Sequence, residues 1–194
     1  MQNIKEQLSP VHPIFRIPST RIFWADNVMK KNTHNSLQSR YLVIASPGIF
    51  LFERKTFPKG FAISRIIPYS DLVLITAQSD ESFEFFKAKV TMRLQHPKNA
   101  EVVAMVLAIR DVLFGGKVRY PKLVFDNEIQ KKIEESTFVF ESDSLLADRF
   151  LSLSLETPVK HLNYDQLLEY HEKCVNSSSG FSINAEMLAS NLIS

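Results

Sequence analysis

The residues able to do chemistry are few and far apart. His12, His34, His96, His161 and His171 are dispersed along 194 residues with no HxxxH or HExxH spacing, and proton transfer by histidine needs an oriented partner within hydrogen-bond reach. His96, in the turn ahead of a helical run, therefore reads as a structural or solvated ring. The single cysteine, Cys174, has no base or cation beside it in sequence to lower its pKa, and reads as a small packed thiol. Asp80-Glu81 and Glu134-Glu135 are adjacent carboxylates of the kind common on solvated turns and helix faces. GxSxG, Walker A and GxGxxG patterns are missing, as is the Cys/His clustering that zinc requires. The expectation is a chain that is not an enzyme and has no metal and no cofactor.

Composition narrows the remaining classes. A net charge of +2 is too small to argue for nucleic acid, so any basic surface must be a local patch. One cysteine rules out an intramolecular disulfide and fits a reducing compartment. No apolar run approaches the roughly 20 residues that cross a bilayer, and MQNIKEQLSP has no signal-peptide core. A cytoplasmic protein, peripheral at a membrane if it meets one, is expected. With 15 Phe against 5 Gly, packed strands and helices are favoured over glycine-lined phosphate loops.

Periodicity then supplies the elements. Residues 1–20, punctuated by Pro10, Pro13 and Pro18, read as an irregular lead-in. Strand-like segments follow at 21–29, 40–45, 49–52, 61–67, 72–78, 83–87 and 90–95, separated by short turns such as Ser46-Pro47-Gly48. Val90, Met92 and Leu94 alternate with polar residues. After Pro97 the spacing becomes helical through Val102, Val103, Met105, Val106, Ile109, Val112 and Leu113. That predicts a helix over 99–114 with Asn99 as N-cap and Gly115 at the C′ position. Short connections favour antiparallel pairing, because parallel strands need a crossover. A helix with one apolar face is a compact cover for the mouth of a small barrel. Phe83, Phe85 and Phe86 read as strand core and not as a ligand pocket.

Seven strands and a closing helix over 21–116 resemble a pleckstrin-homology (PH) domain. The residues that carry the resemblance are Arg40-Tyr41-Leu42-Val43-Ile44 with Ile49-Phe50-Leu51-Phe52, similar to a β2–β3 hairpin, then Ile67-Pro68-Tyr69-Ser70-Asp71-Leu72, and Met92-Arg93-Leu94-Gln95 with its helix. The tryptophan common in the final helix of that family is replaced by aliphatics, and Trp24 is the only one in the chain. The expected fold class is therefore α+β: a seven-stranded antiparallel PH-like barrel or sandwich capped by one C-terminal helix. A generic small β-barrel is the alternative.

The resemblance implies a membrane-targeting or adaptor module. Such domains place cations of the first strand, first loop and second strand around a phosphoinositide headgroup, where Arg supplies a bidentate fork. The corresponding residues are Lys30, Lys31 and Arg40, with Arg54, Lys55 and Lys59 at the next hairpin end. The departure is Gln38, neutral where a basic residue is usual two before the Arg. Expected partners are an anionic membrane surface or phosphoinositide and another protein, with no nucleic acid.

Residues 117–194 read as a helical connector. Helical runs are expected over 126–135, 145–155, 163–176 and 185–192, with Asn163 and Gln166 patterned as a capping box. Their apolar residues fit either intramolecular packing or a protein-interaction and dimerisation scaffold. Val159-Lys160-His161-Leu162-Asn163-Tyr164 is similar to the entry into the leucine-rich repeats of CARMIL-type cytoskeletal regulators, although no repeat period follows. A stop at residue 194, just after an apolar-bearing helix, predicts further protein beyond it.

Overall fold

The computed structural model describes residues 2–136 and 138, apart from 19, 57, 58 and 115–117. Its strands are β1 (Ile22–Lys31), β2 (Leu37–Ala45), β3 (Gly48–Lys55), β4 (Gly60–Ile67), β5 (Leu74–Ala77), β6 (Ser82–Lys87), β7 (Val90–Gln95) and β8 (Lys122–Phe125). Among the described residues there are also three α-helices, α1 (Gln2–Leu8), α2 (Asn99–Phe114) and α3 (Asn127–Glu135), and two short 3-10 turns. The strands form one sheet in the order β4-β3-β2-β1-β7-β6-β5-β8.

The expectation of seven antiparallel strands is corrected by β8, which pairs with β5 in parallel, Leu74 opposite Lys122 and Ala77 opposite Phe125. The crossover that a parallel pair needs is supplied by α2. The chain leaves β5 through β6 and β7, crosses in α2, and returns along the free edge of β5. That edge is then occupied, and Pro68 with the 3-10 turn Tyr69–Asp71 separates β4 from β5, so the sheet curls without closing.

Residues 1–20, expected to be irregular, hold α1 and the 3-10 turn Pro13–Arg16. These cover the outer face of β1–β4. Leu8, Ile14, Phe15 and Ile17 pack with Ile22, Tyr41, Val43, Ala45, Phe50 and Phe52. Lys5 fastens the segment by donating to the carbonyls of Ile17 (2.8 Å) and Thr20 (2.7 Å). The inner face packs separately, with Val28, Leu42, Ile44, Leu51, Phe83, Phe85, Met92 and Leu94 meeting Val102, Val103, Val106 and Ile109 of α2. With both faces buried, β2 and β3 are apolar at consecutive positions instead of alternate ones.

Asn99, expected as the N-cap, is instead the first residue of α2, and its side chain reaches across to the sheet. Its amide donates to the carbonyls of Gln78 (2.7 Å) and Ser82 (3.2 Å), tying α2 to the β5–β6 turn, and its Oδ1 takes the N–H of Ala100. The ring of His96 does the capping work at this end, Nδ1 accepting from Lys98 N at 3.0 Å.

At the far end of α2 the fully buried Arg110 donates to the carbonyls of Val118 (3.0 Å) and Arg119 (2.8 Å) and lies 4.7 Å from the ring centre of Tyr120. It thereby anchors the segment that leads to β8, inside the region read as a helical connector. Asp126 caps α3, accepting from Ile129 N at 2.9 Å and from Ser79 N at 2.6 Å. Gly115 and Gly116, Cys174, His161, His171, the runs at 145–155, 163–176 and 185–192 and the repeat-like 159–164 lie outside the described residues.

Candidate functional site: the basic end of the sheet

Strand direction decides which turns share an end. β1, β3 and β6 run one way and their antiparallel partners the other, so the β1–β2, β3–β4 and β6–β7 turns project together, opposite the end where β7 enters α2. The six sequence-predicted cations all lie toward that turn end: Lys30 and Lys31 close β1, Arg40 sits early in β2, Arg54 and Lys55 close β3, and Lys59 precedes β4. The β1–β2 turn is fixed by Asn32, whose Oδ1 accepts from His34 N and Ser36 N at 2.9 Å. Asn35 takes the left-handed conformation there (φ 59°), which its short polar side chain tolerates.

The sheet divides the six between its faces. Lys30 lies opposite Gln38 and Leu94, and Arg40 opposite Val28, so both share the inner face with the core. Arg65, which the sequence reading passed over, joins them through its pairing with Leu51. Burial lowers the pKa of Lys30, the positive charges of Arg65 and Arg40 lower it further, and Glu53 opposes them. Three cations from β1, β2 and β4 thus crowd one carboxylate at the inner mouth, a concentration of charge of one sign.

Arg40 is partly committed there. It donates to Gln38 Oε1 and to its neighbour's Ser39 carbonyl, both at 2.8 Å, and stands 3.8 Å from Glu53. Its Nε–H is buried and has no partner among the described residues. Gln38, the departure from the basic pattern, is thus an acceptor holding Arg40 in place.

On the outer face, Arg54 pairs across from Phe61 and its guanidinium sits 5.7 Å from the ring centres of both Tyr41 and Phe61. Lys55 and Lys59 flank it at the hairpin end, and all three line one open groove with Gln7 of α1, Gly60 and Phe61. Lys31 also points outward and stands apart. It contributes to the lowered pKa of Asp80, which is set chiefly by hydrogen bonds from the Ser82 hydroxyl and N–H.

His96 lies elsewhere, between Trp24 (ring centres 5.2 Å apart) and Asp26 (3.5 Å from Nε2). No group of three His, Cys, Asp or Glu residues able to hold a metal converges among the described residues.

No protein-family model matches the chain, and no curated protein matches it. Among solved structures, the N-terminal PH domain of human ARAP2 matches with 17% identity over 49% of this chain and 82% of that one, at a TM-score of 0.36. A likeness at that score carries no inference about binding, and the chemistry of this chain is read from its own residues.

Proposed function

We propose that this chain is a PH-like, non-catalytic membrane-targeting or adaptor module whose inner mouth takes a phosphorylated, anionic headgroup. One observation carries the reading: register brings Lys30, Arg40 and Arg65 from three strands to the inner face at the turn end, with Glu53 beside Arg40. Burial first, and then the charges of Arg65 and Arg40, lower the pKa of Lys30. An arriving phosphate relieves that repulsion and offers Arg40 a better partner than the 3.8 Å contact with Glu53. Lys31, Arg54, Lys55 and Lys59 belong to the same end and add attraction to an anionic surface, about 1 kcal/mol per cation near the membrane. No helix among the described residues is long and apolar enough to cross a membrane.

The test is sedimentation with liposomes, with and without phosphoinositide, at low and physiological salt. Phosphoinositide-dependent binding that survives physiological salt and disappears in Lys30→Ala/Arg40→Ala supports the reading. Binding to any anionic lipid that vanishes with salt, unaltered by the double substitution, refutes the headgroup site.

A protein-docking scaffold is the second reading, favoured by β8. It ends the sheet order with Leu123 and Val124 exposed (36% and 45%) beside exposed Tyr120, an edge to which a partner's extended strand can add. The further idea of a cytoskeletal protein continuing into leucine-rich repeats rests on the resemblance of residues 159–164 alone.

A further inference from the structure

The groove on the outer face is chemically unlike the mouth. Arg54, Lys55 and Lys59 line it, and among the described residues no carboxylate does. Among the described residues none of the three makes an ion pair, whereas Arg40 at the mouth has Glu53 beside it. Arg54 is held by the faces of Tyr41 and Phe61, an arrangement that fixes a guanidinium plane without consuming its N–H donors on a carboxylate. Gly60 leaves the floor open, since a Cβ built there meets nothing within 4 Å. Gln7 of α1 closes one side, so the groove exists because the N-terminal segment lies across the outer face.

We propose that this groove is a second anion site, taking the phosphate and carboxylate groups of bilayer lipids such as phosphatidylserine. The proposal rests on the membrane-facing reading for its orientation. The β1–β2 and β3–β4 turns project from the same end of the sheet, so one flat bilayer meets the inner mouth and the outer groove together. A headgroup held at the mouth then keeps bulk anionic lipid at high local concentration over Arg54, Lys55 and Lys59, and the two weak attachments multiply. The curled edge of β3–β4 would sit in the interface with a site on either face.

The experiment uses the whole chain and separates the two sites. Lys55 and Lys59 are exposed, so Lys55→Gln/Lys59→Gln leaves the fold intact, which thermal unfolding verifies. Binding to phosphatidylcholine vesicles containing phosphatidylserine should fall about thirtyfold in this variant, two cations' worth of surface attraction. Its affinity for soluble inositol trisphosphate, which reports the mouth, should stay as in the parent. Lys30→Gln/Arg40→Gln should show the reverse emphasis, losing the trisphosphate.

Unchanged vesicle binding in Lys55→Gln/Lys59→Gln overturns the proposal, as does parallel loss of trisphosphate, which would mean one merged site. Displacement from the vesicles by inorganic phosphate at constant ionic strength would assign the groove to free phosphate and overturn the lipid assignment. If the parent binds no trisphosphate yet the Lys55→Gln/Lys59→Gln variant still loses the vesicles, the groove stands and the mouth reading falls.

Discussion

Acid should loosen the N-terminal cover of the sheet, and His12 sets where in the pH scale this happens. Its ring is 7% exposed, edge-on to Phe15 and Phe50 at 6.4 and 6.0 Å, and its Nδ1 accepts from Ile14 N at 3.2 Å. Burial lowers its pKa from 6.5 to about 4, because the cation loses its hydration. Protonation would also place a donor against the Ile14 N–H. The unfolded chain takes up this proton near 6.5 and the folded chain only near 4. Stability from the neutral ring is therefore full above pH 6.5, declines as pH falls through the interval, and is gone below about 4. From 6.5 to about 4, at about 1.4 kcal/mol per pH unit, the loss is about 3 kcal/mol.

The assay is urea unfolding followed by the fluorescence of Trp24, the only tryptophan, at steps between pH 7 and pH 4. His12→Asn is the reference, since an Asn Oδ1 can accept from the Ile14 N–H and does not titrate. The variant loses ring packing with Phe15 and Phe50, a penalty independent of pH. Asp80 and Asp126, whose carboxyls are held low by hydrogen bonds, titrate in both proteins and cancel in the difference. The stability gap between parent and variant should shrink by about 3 kcal/mol across the interval. A gap that stays constant refutes the argument: the ring would then be hydrated in the folded state, and the cover would not be sealed over Phe50.

Other perturbations follow from single side chains. Arg110→Met should destabilise by about 3 kcal/mol, from two charge-assisted bonds removed and two part-buried carbonyls left without that donor, and hydrogen exchange should show β8 opening before the rest of the sheet. Phe50→Ala, which empties the middle of the outer cluster, should cost about 4 kcal/mol in denaturant unfolding. Gln38→Lys restores a basic residue opposite Lys30 and releases Arg40 from its acceptor. It should tighten inositol trisphosphate about tenfold by calorimetry, the worth of one added charge-assisted bond to phosphate, while no change would place the ligand away from β2. Removing residues 1–20 should expose Tyr41, Phe50 and Phe52, read as dye binding and concentration-dependent association at neutral pH.

Much of the strand ladder could be read from the chain because turn residues and β-formers punctuate it at short intervals, and α2 because its apolar spacing is helical over four turns. The parts that escaped depend on partners distant in sequence. β8 is four residues long and three of them are exposed, so its amphipathic signal is nearly absent; it is a strand because Arg110 and the edge of β5 receive it. The N-terminal cover escaped because three prolines drew attention from Leu8, Ile14, Phe15 and Ile17. A signal for it was present in another place. Tyr41-Leu42-Val43-Ile44-Ala45 and Ile49-Phe50-Leu51-Phe52 are apolar at consecutive positions, which a sheet with one wet face does not tolerate. Something had to lie on the second face, and the residues before β1 supply it.

The candidate site was legible as a set of cations and illegible as an arrangement. Sequence spacing groups Lys30 with Lys31, yet neighbours on a strand face opposite ways, so the sheet splits that pair. Arg54 and Lys55 share one groove because Lys55 closes its strand, where the chain is already turning toward Lys59. Register supplies the remaining grouping, Lys30 and Arg40 with Arg65 on the inner face. Arg65 was invisible because a residue on β4 meets β1 only through the curl of the sheet. A net charge of +2 hid the patch as well, since Asp80, Glu81 and Asp126 gather at the β5–β6 turn, separated in the sheet order from the β3–β4 turn by β2, β1 and β7. Under the proposed membrane-facing reading, an anionic surface meets the β3–β4 side of this molecule turns first, an orientation that puts both faces of the edge within reach of lipid.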